Sequence, residues 1–463
     1  MKQVKIKNII LISMVLVCIY LSSNVWLKLP DLFKRNTESD EGYIPNGQIE
    51  SKILNVIRPV KNVINYNEYY TITYSDEQDM WGMAVVVMND AFKSFDKNSI
   101  NKSAAFPSQY LKFDFNTDIP VEIFTGNFKI ENKEINNTIK GVKNVIIDLE
   151  NSRAIYIYNG ENTVKIESTG IDTGEIIRAV KAMNLADKSA YVFNQRIGEE
   201  TIQAPVPLEN TALYPVIVQS ELNVFDAEAT DKIAKDYFRN SYDYVRKSVE
   251  VSGNTVYVYR NKKILKISSG GVLDFYDTTA ELKGSSDVYS SLVRAIDFIG
   301  KFPDFPEGIY LSDVDNIEYD GNDGFRYTFS YKIQERPILF SKVRENSALQ
   351  IDVIGDSVVS YRRFIRKIDE SQRGRMSEIQ VLSAFDIIMG NLYAEEDEVD
   401  GGVPELKPLK KEMIKDISNI YLGYFDLSRI SREQVLRVVW VVEAGDKTYI
   451  FNATTGALIE EWQ

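Results

Sequence analysis

An uncharged, apolar run near the start of the chain constrains the fold more than any other feature. Residues 8–27 read NIILISMVLVCIYLSSNVWL, 20 residues without a charged side chain. A helix that rises about 1.5 Å per residue would carry this run across roughly 30 Å, the thickness of the hydrocarbon core of a bilayer. The sequence therefore predicts a single transmembrane helix, with the remainder of the chain folding in water.

The flanking charges predict the orientation of this helix. Lys2, Lys5 and Lys7 precede the run, whereas residues of both charges follow it. Basic flanks stay in the cytoplasm, so residues 1–7 are predicted to be a cytoplasmic stub and the bulk of the chain to be extracytoplasmic. A cleavable signal peptide has a shorter apolar core that ends in small residues, and residues 22–27 lack that pattern. We expect an uncleaved anchor in the cell membrane of a Gram-positive type bacterium.

One stripe of the predicted anchor carries polar groups. Ser13, Val17, Tyr20 and Asn24 recur at helical spacing and therefore share one face. In lipid, such groups favour contact with a partner helix, so this stripe is a candidate partner-contacting surface. The alternative is a helix whose hydroxyls bond to its own carbonyls, with Asn24 already at the membrane interface. The sequence leaves both alternatives open.

Composition excludes several classes of chemistry. The chain has no histidine, which removes Ser-His-Asp and Cys-His nucleophile systems and every histidine-ligated zinc site. Its one cysteine, Cys18, lies in the predicted anchor, so no disulfide is expected in the outer part. The net charge of −13 argues against nucleic acid and against tight binding to anionic wall polymers.

Beyond the anchor, the sequence predicts an α+β protein of antiparallel sheets with packed helices. A helix is predicted near 80–95, and strands are predicted at 111–115 and 121–124. A weak internal repeat, in which each unit reads helix, strand, strand, turn and strand, is predicted in the C-terminal part. The predicted organisation is a linker at 28–48, an N-terminal domain at 49–200, a middle domain at 211–283, and a C-terminal domain at 286–463 with repeats at about 288–366 and 377–463.

Three short patterns resemble catalytic or metal-binding motifs, and each has a simpler interpretation. Residues 171–174 read Ile-Asp-Thr-Gly, but the second such motif that an aspartic protease needs is absent, so we predict a turn and a helix cap. Ser94 and Lys97 have penicillin-recognising spacing without the accompanying elements. The acidic residues near 313–323 lack the alternation of a calcium loop, and hairpin turns at 320–321 and 323–324 are predicted instead. The sequence predicts no catalytic residue, no metal site and no cofactor.

Segments spread over the whole length resemble the YycH family. They include the end of the anchor at Asn24–Trp26 and the strand with Ile-Pro at 110–124. They also include 256–276, Ala295–Ile299 with Pro303 and Pro306, Arg336–Ile338, and Val439–Glu443 with 448–450. The resemblance rests on the order and coverage of these segments, since none is a strict signature.

The resemblance implies a non-enzymatic regulator of the WalK (YycG) sensor histidine kinase, which controls cell-wall metabolism in low-GC Gram-positive bacteria. It also implies association with the anchored regulator YycI and a YycI-like C-terminal domain that more loosely resembles PepSY-type units. An alternative is an extracytoplasmic PepSY-like scaffold or inhibitor of an envelope protease or wall hydrolase. A third hypothesis, a cell-envelope enzyme, would depend on Asp172.

Overall fold

The computed structural model describes residues 46–462 with internal gaps. The gaps are 77, 97–103, 189, 198, 209–211, 279–281, 283–286, 302–304, 342–346, 370–376, 393–408, 410 and 428–432. Within the described residues the protein has eight α-helices and mainly antiparallel sheets, which confirms the predicted α+β class.

A six-stranded antiparallel sheet forms the first layer. Its strands are β1 (Lys61–Tyr66), β2 (Tyr69–Thr73), β3 (Tyr110–Pro120), β4 (Gly141–Asp148), β5 (Ala154–Tyr158) and β6 (Thr163–Glu167), in the order β2-β1-β3-β4-β5-β6. The helices of this region are α1 (Asn46–Val56), α2 (Met80–Lys93), α3 (Val121–Asn127), α4 (Glu134–Thr138) and α5 (Gly174–Ala182), followed by a 3₁₀ turn at Leu185–Asp187.

Helix α2 covers this sheet through one apolar face, and it confirms the helix predicted near 80–95. The helix begins at Met80, and Asp76 stabilises its first turn. The carboxylate of Asp76 accepts hydrogen bonds from the backbone N–H groups of Met80 (2.8 Å) and Trp81 (3.0 Å). The indole of Trp81 packs against Phe113 and Phe115 with ring centroids 5.3 and 5.2 Å away. Its Nε1–H is also satisfied, since it donates to a backbone carbonyl at 3.0 Å. This placement buries a large apolar area without leaving a polar atom unpaired.

The strand predicted at 121–124 is wrong, because these residues begin helix α3. The short run Val-Glu-Ile-Phe, with three apolar residues, does not distinguish a strand from a buried helical turn. Strand β3 ends at Pro120, and the chain turns into the helix immediately after it. Val121, Ile123 and Phe124 are all buried, so the helix keeps the same side chains in the core that a strand would have divided between two faces.

A fifteen-stranded sheet occupies the rest of the described chain. Its strands are β12 (Val216–Ser220), β13 (Arg246–Val249), β14 (Thr255–Tyr259), β15 (Lys263–Ile267), β16 (Leu273–Asp277), β17 (Ile309–Tyr319), β18 (Asn322–Ile333), β19 (Arg336–Phe340), β20 (Leu349–Ile354), β21 (Ser357–Arg363), β22 (Arg366–Ile368), β24 (Ile417–Asp426), β25 (Glu433–Ala444), β26 (Lys447–Asn452) and β27 (Leu458–Trp462).

Its helices are α6 (Ala227–Phe238), α7 (Val288–Ile299) and α8 (Ala384–Leu392), with 3₁₀ turns at Arg239–Tyr244 and Lys411–Asp416. Three two-stranded pairs complete the described secondary structure. They are built from β7 (Tyr191–Val192), β8 (Gln195–Ile197), β9 (Glu200–Ile202), β10 (Val206–Pro207), β11 (Ala212–Leu213) and β23 (Ile379–Gln380), paired as β10-β7, β8-β9 and β11-β23.

Two parts of this sheet have the same element order, as the predicted repeat requires. One runs α7-β17-β18-β20-β21 and the other α8-β24-β25-β26-β27, and in each part successive strands pair antiparallel. Strand β19 joins them, because it pairs with β18 and, in parallel, with β24. Strand β16 also pairs with β21, so the sheet continues across the gap at 283–286. The boundaries of the predicted domains stay predictions.

The acidic segment near 313–323 forms the tip of a long hairpin. Asp320 and Gly321 both have positive φ (51° and 72°), as the two central residues of a type I′ turn require, and this confirms the first predicted turn. The second is wrong, because Asp323 and Gly324 lie in strand β18 opposite Glu318 and Ile317. Glycine is needed at 324 because a Cβ there would lie 2.3 Å from a carbonyl oxygen of β20.

Two buried arginine–carboxylate pairs lie among strands of both repeats. Arg366 Nε donates to Asp426 Oδ2 at 2.8 Å, and both side chains are fully buried. Arg363 Nη2 donates to Glu221 Oε2 at 2.8 Å, with 4% and 5% of the two side chains exposed. Gln434 donates a further hydrogen bond to Asp426. Because a buried charge without a partner is strongly unfavourable, the first pair fixes how β22 meets β24, and the second fixes β21 against the segment after β12.

A partly buried lysine links β18 to the first sheet. Lys332 Nζ donates to the carbonyl oxygens of Tyr74 (3.0 Å) and Pro59 (3.5 Å) and lies 5.9 Å from the ring centroid of Tyr310. Burial lowers the pKa of Lys332 from its ordinary value of 10.5 to about 8.

Replacing Asp426 tests the buried pair. We expect Asp426→Ala to lower the free energy of unfolding by roughly 3–5 kcal/mol, because the charge of Arg366 remains buried without its partner. Urea denaturation of the full chain in detergent micelles measures the loss. The double variant with Arg366→Met should regain most of it. Glu175→Ala, which removes one partner of an exposed pair with Arg178, should cost less than about 1 kcal/mol. Equal losses for the two single variants would contradict the assignment.

The lowered pKa of Lys332 predicts a pH dependence of stability. Between pH 8 and 10.5 the unfolded chain binds a proton at this lysine that the folded chain has released, so stability should rise with pH across that window. The rise attributable to Lys332 is about 3 kcal/mol. The free energy of unfolding, measured against pH for the wild type and for Lys332→Met, isolates it, since the tyrosines titrate in both proteins. Parallel curves would show that Lys332 is not the responsible group.

Candidate functional site

The surface predicted from sequence lies outside the described residues. Ser13, Val17, Tyr20 and Asn24, together with the whole run at 8–27, precede residue 46, where the description begins. Among residues that the structure does describe, no helix combines the length and the apolar character needed to cross a bilayer.

A groove between α6 and α7 is the candidate site within the described chain. It encloses about 380 Å³, within the range of ligand-binding pockets. Its walls come from the ends of α6 and α7, from β15 and β16, and from the turn between β20 and β21. The lining residues are Asp236, Tyr237, Arg239, Lys263, Phe275, Asp277, Arg294, Asp297, Phe298, Lys301, Asp356, Ser357 and Val358. We call it the α6–α7 groove.

Aromatic rings line the groove. The ring centroids of Tyr237 and Phe275 are 4.9 Å apart, and that of Phe298 lies 5.5 Å from Phe275. Phe298 also meets Tyr361 of β21 edge-on at 5.4 Å. The rings therefore hold one another in place and give the groove a rigid apolar wall.

Ion pairs form the rim of the groove. Lys263 Nζ lies 2.7 Å from Asp277 Oδ2, Lys301 Nζ lies 2.5 Å from Asp297 Oδ2, and Arg294 pairs with Asp356. Within each of the three pairs the two charges neutralise each other, so the rim presents alternating charges and no strong net field. A buried oxygen, Oδ1 of Asp297, has no hydrogen-bond partner among the described residues.

Arg239 stands at the end of α6 in a conformation that costs free energy. Its backbone has φ 45° and ψ −125°, a combination that side-chain-bearing residues avoid. Its side chain is exposed and makes no ion pair within the described part of the chain. Strained residues of this kind persist where the surrounding structure holds them, often at functional positions. Arg239 is therefore a candidate functional residue of the groove.

The chemistry of the groove suits binding. Burial raises the pKa of Tyr237 well above its ordinary value, which keeps its hydroxyl neutral. The rim carboxylates Asp277, Asp297 and Asp356 are engaged with cations. An aromatic wall with a balanced polar rim resembles the make-up of protein-recognition surfaces.

The three motif-like patterns have structural roles. Asp172 Oδ1 accepts a hydrogen bond from the backbone N–H of Gly174 at 2.9 Å, at the start of α5, as the predicted turn requires. Thr173 is the N-cap residue of this helix, but its side chain makes no capping hydrogen bond. Ser94 Oγ donates to a carbonyl at the end of α2, and Lys97 lies outside the described residues. Among the residues that the structure describes, no group of three or more acidic, histidine or cysteine side chains is arranged to hold a metal ion.

The groove could not be found from sequence. Its charged residues come from five separate places in the sequence, and each charge alone is typical of a solvated surface. Arg239 follows an ordinary amphipathic helix, and no local pattern indicates its positive φ.

The strain at Arg239 makes a testable prediction. Arg239→Gly should raise the free energy of unfolding by about 1 kcal/mol, because glycine adopts this conformation without a steric penalty. Chemical denaturation of the full chain measures the change. Arg178→Gly, at an exposed arginine within helix α5, is the matched control and should lower the free energy of unfolding by about 1 kcal/mol. A loss of stability at both positions would contradict the strained conformation.

Two solved structures resemble parts of the fold. One is the crystal structure of an uncharacterized protein from Eubacterium rectale, with 11% identity and a TM-score of 0.35, covering 60% of this chain and 95% of that chain. The other is the C-terminal domain of YpeB from Bacillus megaterium, with 12% identity and a TM-score of 0.26, covering 51% of this chain and 96% of that chain.

No curated protein matches the chain significantly. A family model does match it: the YycH protein, N-terminal domain, over residues 4–184. The matched segment contains the apolar run at 8–27 and all six strands of the first sheet. The resemblance found in the sequence is thereby confirmed over residues 4–184, which are similar to the N-terminal domain of the YycH protein.

Proposed function

We propose that this protein is a non-enzymatic regulator, anchored in the cell membrane by residues 8–27, that binds and modulates a WalK-type sensor histidine kinase controlling cell-wall metabolism. A YycI-type anchored regulator acts with it. The N-terminus is cytoplasmic and the described region is extracytoplasmic. The observation that carries the proposal is the match to the YycH N-terminal domain, which begins at residue 4 and spans the predicted anchor.

Two features of the molecule support a binding role. Asp172 of the Ile-Asp-Thr-Gly motif has a structural role, because it accepts a hydrogen bond from the backbone N–H of Gly174. The α6–α7 groove offers an aromatic wall, a neutralised rim and one exposed, strained arginine. Regulation then follows from contacts that differ between two states of the kinase, since a partner shifts an equilibrium only by its differential affinity.

Crosslinking in native membranes tests the anchor. Single cysteines are placed along residues 10–26 after Cys18→Ser removes the native thiol. We expect crosslinks to the kinase or to the second regulator that peak at 13, 17, 20 and 24, because these positions share one helical face. An anchor replaced by an unrelated transmembrane helix is the control and should lose these crosslinks. Absence of crosslinks at every position would reduce the anchor to a tether.

Kinase output tests the role of the outer region. Arg239→Glu should change kinase output if the groove contacts a partner, whereas Arg178→Glu, an equally exposed change on α5, should not. If the anchor replacement, a deletion of residues 46–463 and Arg239→Glu all leave kinase output unchanged, the proposed regulation is wrong.

The repeated units favour a second candidate function. The two α-β-β-β-β units with identical pairing are the feature that suggested a PepSY-like scaffold or inhibitor of an envelope protease or wall hydrolase. Affinity capture with the full chain in nanodiscs separates the two functions. Recovery of wall enzymes without the kinase would favour the scaffold.

A further inference from the structure

A second pocket lies between the first sheet and the hairpin β17–β18, apart from the α6–α7 groove. It encloses about 320 Å³ and is lined by the start of β1, the segment after β2, and the ends of β17 and β18. The side chains that matter here are Arg58, Asn62, Asp76, Tyr310, Lys332 and Glu335.

The pocket contains a desolvated cation that no carboxylate pairs with. Lys332 Nζ contacts two backbone carbonyls and the face of Tyr310, and it forms no ion pair among the described residues. Burial lowers the pKa of Lys332 to about 8, so it is still mainly protonated at neutral pH. Buried charges in proteins are generally paired with an opposite charge.

Glu335 and Asp76 raise the pKa of Lys332 by less than burial lowers it, and neither carboxylate forms an ion pair with this lysine in the described structure. The two oxygens of Asp76 accept from the first N–H groups of α2, and Glu335 is exposed on the turn after β18. Arg58 adds a second cation, exposed and without an ion pair in the described chain. Lys61 is different, because it donates to Asn419 at 2.9 Å and lies 3.9 Å from Asp114.

A buried acceptor provides an independent indication of a ligand. Asn62 is 3% exposed, and its Nδ2 donates to the carbonyl of Ser75 at 3.3 Å. Its Oδ1 is buried and has no hydrogen-bond partner in the described structure. Buried polar atoms are nearly always satisfied, so a pocket-lining oxygen without a donor indicates a site that something else completes.

We propose that this pocket binds the anionic group of a small ligand, a carboxylate or a phosphate. Lys332 and Arg58 contact the anion, and Asn62 Oδ1 accepts a hydrogen bond from an N–H or O–H beside it. An amino-acid or peptide carboxylate carries such a donor, and so does a hydrogen phosphate. Because the contacts come from both the first sheet and β18, the bound ligand also holds these two layers together.

Lysine acylation of the full chain in detergent micelles tests the proposal. The protein is labelled with acetic anhydride at pH 8, and the labelling of each lysine is read by mass spectrometry. The probes are inorganic phosphate and N-acetylglycine, each against sodium chloride of equal ionic strength. We expect a probe to reduce labelling of Lys332 at least threefold, because the anion covers the amine and favours its protonated form.

Lys112 is the matched control, because it is also a desolvated strand lysine but already lies 3.8 Å from the carboxylate of Asp114. Its labelling should not change. Protection by phosphate alone identifies a phosphate ligand, and protection by N-acetylglycine alone identifies a carboxylate. If neither probe protects Lys332, or if both lysines are protected equally, the proposal is wrong.

Variants give a second readout. The active probe should raise the melting temperature of the wild type and of Lys112→Met, but not that of Lys332→Met. Arg58→Ala, at an exposed position, should fold normally and weaken probe binding about threefold or more. Unchanged probe binding in both the Lys332 and Arg58 variants would overturn the site even if the labelling changes.

Discussion

The buried pair between Arg366 and Asp426 is the interaction on which the arrangement of the large sheet depends. It lies where β22, β24 and β25 meet, and a second buried pair, Arg363 with Glu221, connects β21 to the segment after β12. A charged side chain that is buried away from water is stable only in a geometry that replaces the hydrogen bonds it would make with water. The pairs therefore contribute less to the free energy of folding than to the selection of one strand register, because a slipped register would leave an arginine buried without its carboxylate.

The two candidate sites differ in their chemistry. The α6–α7 groove has rings that pack on one another and rim charges that are already paired, which suits recognition of a protein surface. The pocket at Lys332 has the opposite character, since its cation and its buried amide oxygen are left for a ligand to complete. In the proposed regulator, the groove would serve the protein partner and the pocket would serve a small anion.

Local patterns predicted local structure well. Helix α2 and the turn at Asp320–Gly321 were predictable because capping, apolar periodicity and positive φ act within a few residues. Residues 121–124 were not, since three apolar residues around one glutamate fit a strand and a buried helical turn equally. Arg363 and Arg366 lie in the stretch RRFIRK, which resembles a solvated basic surface. Only the pairing of distant strands decides that two of its arginines are buried, and no local pattern indicates it.

Strand β19 connects the two repeats. It pairs with β18 of the first repeat and with β24 of the second, over two and three residue pairs respectively. Either repeat alone would have a bare strand edge at this place, and bare edges invite aggregation. Loss of either unit would therefore open a strand edge in the other, so each unit depends on its neighbour for a covered edge.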